Sequence, residues 1–168
     1  MFKNLRTKIL AVIFAGAILI AIDGSTISPI LESIQHSFGV DEAVITWIFN
    51  MEILFLLLST PIMAKLSDKY GRKNIYVINA LLFLVGTIIV AFSQSFEILL
   101  IGRALQGVGA VLSVLAITII GDYFDETRGT ILGAFGLMIA LVYAFSPAIS
   151  GFLITFSWHL VFVINIPV

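Results

Sequence analysis

Long apolar runs alternate with short polar interruptions along the whole chain. Five runs are close to the roughly 20 residues that a helix needs to cross a bilayer: 9–30, 45–63, 75–92, 98–120 and 130–152. A sixth begins near His159 and ends at Val168, about half of the required length. The pattern predicts an all-α, polytopic bundle of membrane helices. The short sixth run raises the expectation of a fragment or a truncated gene product. The first run follows Lys3, Arg6 and Lys8, as a signal peptide would, but its only A-x-A site, Ala15-Gly16-Ala17, lies inside the run. Cleavage there would leave too short an apolar region, so an uncleaved first span is expected.

Composition agrees with a bilayer as the solvent. Of the 168 residues, 60% are hydrophobic and 11% charged, with a mean hydropathy of +1.14. Soluble domains carry about one quarter charged residues. Cysteine is absent, which excludes disulfides and thiolate metal sites. The net charge of −1 hides a segregation of signs. Lys3, Arg6 and Lys8 precede the first run, Lys65, Lys69, Arg72 and Lys73 separate the second from the third, and Arg128 separates the fourth from the fifth. The alternate connections, 32–42 and 93–97, contain no Lys or Arg. The positive-inside rule then places the N-terminus and the basic hairpin in the cytoplasm. There the cations also face the anionic inner leaflet.

That hairpin, "AKLSDKYGRKN" (64–74), has order beyond its charge. Asp68 and Arg72 are four residues apart, and Gly71 permits a tight turn before the next helix. The stretch resembles the G-x-L-x-D-x-x-G-R-K/R signature between the second and third spans of the major facilitator superfamily, with Ala64 in place of the leading glycine. Further matches follow in order. "LIGRALQGVGA" (100–110) is similar to the family's fourth-span R-x-x-Q-G-x-G-A pattern. "AIDGSTISPIL" (21–31) resembles the D-x-T-x-x-x-x-A/P-L stretch of its multidrug proton antiporters, with Thr26 one residue late. "WHLVFVINIPV" (158–168) resembles the sixth-span opening of the fourteen-span drug exporters. The fifth-span antiporter signature is eroded: Gly133, Pro147 and Gly151 are in place, but Val142, Ser146 and Ser150 stand where glycine is expected.

The resemblance implies the N-terminal six-helix half, residues 1–168, of a carrier that rocks around a midplane site. It implies a proton gradient as the energy source, a small-molecule substrate and the C-terminal half as partner. It also implies a stabilising role for Asp68, Gly71 and Arg72 in one conformation, and a part for Arg103 in proton transfer. The implied location is the plasma membrane. No cofactor, metal or nucleic acid is expected. No G-x-x-x-x-G-K-S/T run exists for a built-in ATPase, and no His-rich or Ser/His arrangement marks an enzyme. An uptake carrier of the same fold and a non-transporting remnant are the alternatives.

Three ionisable residues lie inside the runs, where a charge costs roughly 2.5–3.5 kcal/mol on insertion scales. Counting at 1.5 Å per residue puts Asp23, Glu52 and Arg103 roughly 8–11 Å below the outer boundary, in one layer. Asp23 precedes Gly24, Ser25, Thr26, Ser28 and Pro29, a run that weakens a helix and offers hydroxyls. Gln106, Gly107, Ala110 and Val114 share a helix face with Arg103. Each charge has two readings: proton or substrate chemistry, or a fixed stabilising pair. If the helices are neighbours, one carboxylate is held by arginine while the other is left to exchange a proton.

Gly129, Gly133, Gly136, Ala140, Ala144, Pro147 and Gly151 form a stripe of small residues in the fifth run. It predicts close helix packing, with a kink at Pro147. Asp122, Asp125, Glu126 and Arg128 form a charged connection that can face the basic hairpin. His36 and His159 are assigned no role. Single cysteines introduced at Lys69 or Thr127 are expected to react with an impermeant maleimide only from the cytoplasm, and at Gly39 only from outside. Labelling of position 69 in intact cells would reverse the orientation.

Overall fold

The computed structural model describes the backbone of residues 2–163 and the side chains of residues 6–163. The Lys3 side chain and residues 164–168 of the sixth run, with Pro167, lie outside the described residues. Helix α1 spans Phe2–Phe38, α2 Glu42–Ile45, α3 Trp47–Tyr70, α4 Arg72–Ala91, α5 Phe96–Gly109, α6 Leu112–Tyr123, α7 Arg128–Leu153 and α8 His159–Val163. A 3-10 turn, Asp125–Thr127, leads into α7. Among the described residues five segments are long and apolar enough to cross a membrane: Arg6–Phe38, Glu42–Tyr70, Arg72–Ala91, Phe96–Tyr123 and Asp125–Leu153. No strand occurs among the described residues.

The first helix is longer than the apolar run predicts. It continues through Pro29 to Phe38 because its buried stripe continues: Ile27, Ile30 and Ile34 are wholly inaccessible. The polar run after Asp23 does not loosen it. Ser25 Oγ donates to the Ala21 carbonyl at 2.6 Å and Thr26 Oγ1 to that of Asp23 at 3.1 Å, so both hydroxyls turn onto their own helix. Two glycines with positive φ make the sharp exits. Gly39 (φ 61) follows α1, and Gly71 (φ 91) separates α3 from α4. Ser95 caps α5 by accepting from Ile98 N at 3.4 Å.

Helix α5 lies between α3 and α4, and glycines let the backbones touch. A Cβ on Gly86 would stand 2.7 Å from Gln106 N and 2.8 Å from the Gly102 carbonyl oxygen. On Gly107 it would strike the Glu52 carbonyl, and on Gly109 the Phe83 backbone. The apolar interior divides in two. One cluster gathers Ile13, Ala17, Tyr76, Phe83 and Leu112 toward the basic hairpin. The other gathers Ile27, Ile30, Ile48, Leu99 and Phe162 toward the opposite, acidic end. Trp158 joins the second and donates from Nε1 to Ser37 Oγ at 3.1 Å, tying the approach to α8 to the end of α1. His159 stacks on Trp158 with ring centroids 3.6 Å apart.

Helix α7 packs chiefly on α1, with Phe135 edge-on to Phe14 at 5.6 Å. Its stripe of small residues faces away from that contact, and no described helix packs closely on it. Gly129, Gly133, Gly136, Ala140, Ala144, Pro147 and Gly151 are all exposed. Nothing lies within 4 Å of a Cβ built on any of the four glycines. The helix runs unbroken through Pro147. Ser146 and Ser150, two of the eroded glycine positions, are on its buried side. The glycines therefore separate into two kinds. Gly107→Ala is expected to destabilise the chain by about 1–3 kcal/mol, because the obstacle is backbone. Gly133→Ala is expected to be neutral or to stabilise it by up to about 1 kcal/mol. Unfolding of the purified chain in detergent measures both.

Candidate functional site

Between the two apolar clusters lies one polar layer, drawn from four helices. Arg103 of α5 is its centre, and its side chain is 0% exposed. The guanidinium uses three nitrogens. Nε donates to the Ile48 carbonyl at 3.2 Å. Nη1 donates to Asp23 Oδ2 at 2.7 Å and to Gln106 Oε1 at 2.8 Å. Nη2 donates to Glu52 Oε2. Gln106, one helical turn along, donates from Nε2 to Asp23 Oδ1 and to Thr87 Oγ1, both at 2.9 Å. Thr87 in turn donates to the Phe83 carbonyl at 2.9 Å.

The four residues singled out in the sequence as proton or substrate groups, Asp23, Glu52, Arg103 and Gln106, are thus in one hydrogen-bonded cluster. Counting from Ile30 misjudged where α1 ends, yet the three charges meet. Thr87 was missed. A lone threonine in an apolar run ordinarily bonds its own helix, and this one does that as well. Gly107, singled out for packing, has a specific task. Its missing Cβ lets the α5 backbone reach the Glu52 carbonyl, which brings the Glu52 side chain within reach of Arg103.

The cluster holds two carboxylates and one guanidinium. Arginine keeps its charge at any accessible pH. Removing ions from water costs several kcal/mol each, and only close pairing with full hydrogen bonding offsets that cost. Asp23, Arg103, Gln106 and Thr87 have no accessible surface, whereas the Glu52 side chain is 16% exposed. Among the described residues no group of three metal-ligating side chains converges. Two carboxylates beside one guanidinium can pair charges, and the surplus carboxylate can in principle exchange a proton. A concavity of about 790 Å³, open to the outside, lies at the acidic end, lined in part by Glu32, His36 and Glu42. Its lining includes no member of the cluster, and open volume alone does not make it the functional centre.

A second charged assembly forms at the basic hairpin. Arg72 pairs with Asp122 at the end of α6 and donates to the Thr118 carbonyl at 3.3 Å. Asp68 is 4.0 Å from Arg72 on the other side of Gly71. Among the described residues Asp122 is the acid of the 122–126 connection that pairs with the hairpin. Lys65, Lys69 and Lys73 make no ion pair among the described residues. Lys69 instead sits over the Tyr70 ring at 5.1 Å.

Residues 13–168 match the sequence profile of the Major Facilitator Superfamily. The chain is similar to the Uncharacterized MFS-type transporter YfiU of Bacillus subtilis (strain 168), 38% identical over 91% of this chain and 30% of that protein. It is similar to Multidrug resistance protein 3 of the same organism, 33% identical over 99% of this chain and 33% of that protein. Efflux pump dotC of Dothistroma septosporum is 37% identical over 89% of this chain and 26% of its own length. The chain spans about a third or less of the length of these curated relatives. One is named as a transporter, one as a multidrug resistance protein and one as an efflux pump, and none as an enzyme.

Breaking the cluster at its centre is expected to be costly. Arg103→Met would leave buried Asp23 without a counter-ion and destabilise the chain by about 3–5 kcal/mol. The double variant Asp23→Asn/Arg103→Met should recover a large part of that loss, since the remaining carboxylate, Glu52, reaches solvent. Unfolding of single and double variants in mixed micelles measures the coupling.

Proposed function

Since the chain belongs to the major facilitator superfamily, we propose that it supplies the N-terminal half of a proton-driven exporter of small molecules. In this reading it works with a C-terminal half in the plasma membrane, with its N-terminus in the cytoplasm and without a cofactor. The observation that carries the reading is Arg103, wholly buried between two carboxylates. Ionisable groups at membrane depth are expensive and mark ion or substrate pathways. An excess carboxylate beside a permanent cation is a group that can be charged or neutral according to which side of the membrane it faces. The names of two relatives, a multidrug resistance protein and an efflux pump, favour export.

The hairpin fits a gate at the cytoplasmic end. The Arg72–Asp122 pair is 30% and 45% exposed, so it is worth about 0–1 kcal/mol. A contact that forms and breaks in every cycle has to be weak. Gly71 sets the turn that presents Arg72, and Asp68 stands 4.0 Å from its guanidinium. Uptake in place of export is the second reading, favoured by Val142, Ser146 and Ser150 standing where the antiporter signature has glycine.

The test uses everted membrane vesicles that hold the chain together with its C-terminal half, and ethidium as the probe. An inward-acid gradient should drive accumulation, and a protonophore should abolish it. Accumulation unaffected by the protonophore would refute proton coupling. Gradient-driven accumulation only in right-side-out vesicles would establish uptake. The chain alone is expected to insert and to accumulate none.

A further inference from the structure

We propose that the two carboxylates have separate duties: Asp23 is the permanent counter-ion of Arg103, and Glu52 is the group that takes up and releases the proton. This rests on the proton-coupled reading above and names the residue that performs it.

Asp23 is bonded as an anion. Its Oδ2 accepts from Arg103 Nη1 at 2.7 Å and its Oδ1 from Gln106 Nε2 at 2.9 Å. A proton on either oxygen would face an N–H that is already there. Gln106 cannot turn to relieve this. Its Oε1 accepts from Arg103 and its Nε2 donates to Thr87, whose own hydroxyl proton is committed to the Phe83 carbonyl. A flipped amide would set its oxygen against the Asp23 carboxylate and its NH2 against the guanidinium. No water reaches Asp23 to deliver a proton, since the residue is 0% exposed.

Glu52 is bonded as an exchangeable group. Oε2 meets Arg103 Nη2, while Oε1 has no hydrogen-bond partner among the described residues. Its side chain is the one in the cluster with accessible surface. A proton arriving from water can settle on Oε1 without displacing any donor. The cluster then passes from two carboxylates and one guanidinium, net −1, to a neutral Asp23–Arg103 pair beside a carboxylic acid. Deprotonation returns the proton to water and restores the charge. The charged groups that face Glu52 are few: Arg103 from α5 and Asp23 from α1. On α4 the only charged residues are Arg72 and Lys73 at its far end, and Thr87 is the polar group at this level. Glu97 of α5 and Glu42 of α2 lie in the first turns of their helices, toward the acidic end. The Gly107 contact holds the Glu52 backbone against α5, so gain or loss of the proton is free to move the side chain rather than the helix.

Infrared difference spectroscopy of the chain in lipid nanodiscs reads the protonated carboxyl directly. A carboxyl band that grows as the pH falls should be present in the parent chain and missing, by one carboxyl equivalent, in Glu52→Gln. Asp23→Asn should keep it, and Glu52→Asp should keep it with a shifted midpoint. A band lost in Asp23→Asn and kept in Glu52→Gln would overturn the assignment while leaving proton coupling by this layer intact. A band unchanged in both variants, or absent throughout, would overturn the assignment and the coupling reading together. Thermal unfolding establishes that each variant is folded. If Asp23→Asn is not, Glu52→Gln decides alone, with loss of the band supporting the proposal and persistence overturning it.

Discussion

A permanent cation enclosed by protein has to be answered on every side, and the packing around Arg103 is organised by that demand. Its three nitrogens find acceptors on two other helices and on its own: a carboxylate on α1, a carbonyl and a second carboxylate on α3, and an amide on α5 itself. Such acceptors can converge only if the helices approach closely. The contacts at Gly86, Gly102 and Gly107 supply that approach between α5 and its two neighbours. The apolar clusters on either side then exclude water from the layer, which strengthens its hydrogen bonds and raises the cost of leaving any of them unmade.

The layer and the hairpin use the same residue types under opposite conditions. Arg103 and Asp23 meet where nothing is exposed, so their pairing is unconditional as long as the bundle holds. Arg72, Asp122 and Asp68 meet near the surface, where solvent competes for every charge and salt screens the remainder. One arginine therefore contributes to the architecture, and the other forms a contact that a modest opposing force can undo. Burial separates them, not chemistry.

Much of this was legible in the residues, for reasons that differ from one element to the next. The five spans are readable because a bilayer forces long apolar runs on any helix that crosses it. Asp23, Glu52 and Arg103 stand out because charges inside such runs are rare. The end of α1 was not legible. Gly24, Ser25, Thr26 and Pro29 look like a break, but the isoleucine stripe beyond them is read correctly only when its partners on α3, α5 and α8 are known. Thr87 was invisible because hydroxyls are unremarkable in membrane helices. The α7 stripe shows the complementary limit. Spacing identifies a face, but it does not say whether the neighbour that would cover it belongs to the described chain.

The ion pair at the centre joins residues 80 positions apart. A ribosome adding about 5–20 residues per second takes roughly 4–16 s to make that stretch. For that interval the first span has its carboxylate and no arginine. It must enter the bilayer on its own hydropathy, which reaches 2.1 over its most apolar window, and must then wait beside α3 for the fourth span to emerge. The pair is a docking event between segments already inserted. Retarding translation between Asp23 and Arg103 lengthens the time the nascent chain is exposed to quality-control proteases, with no change to the finished fold.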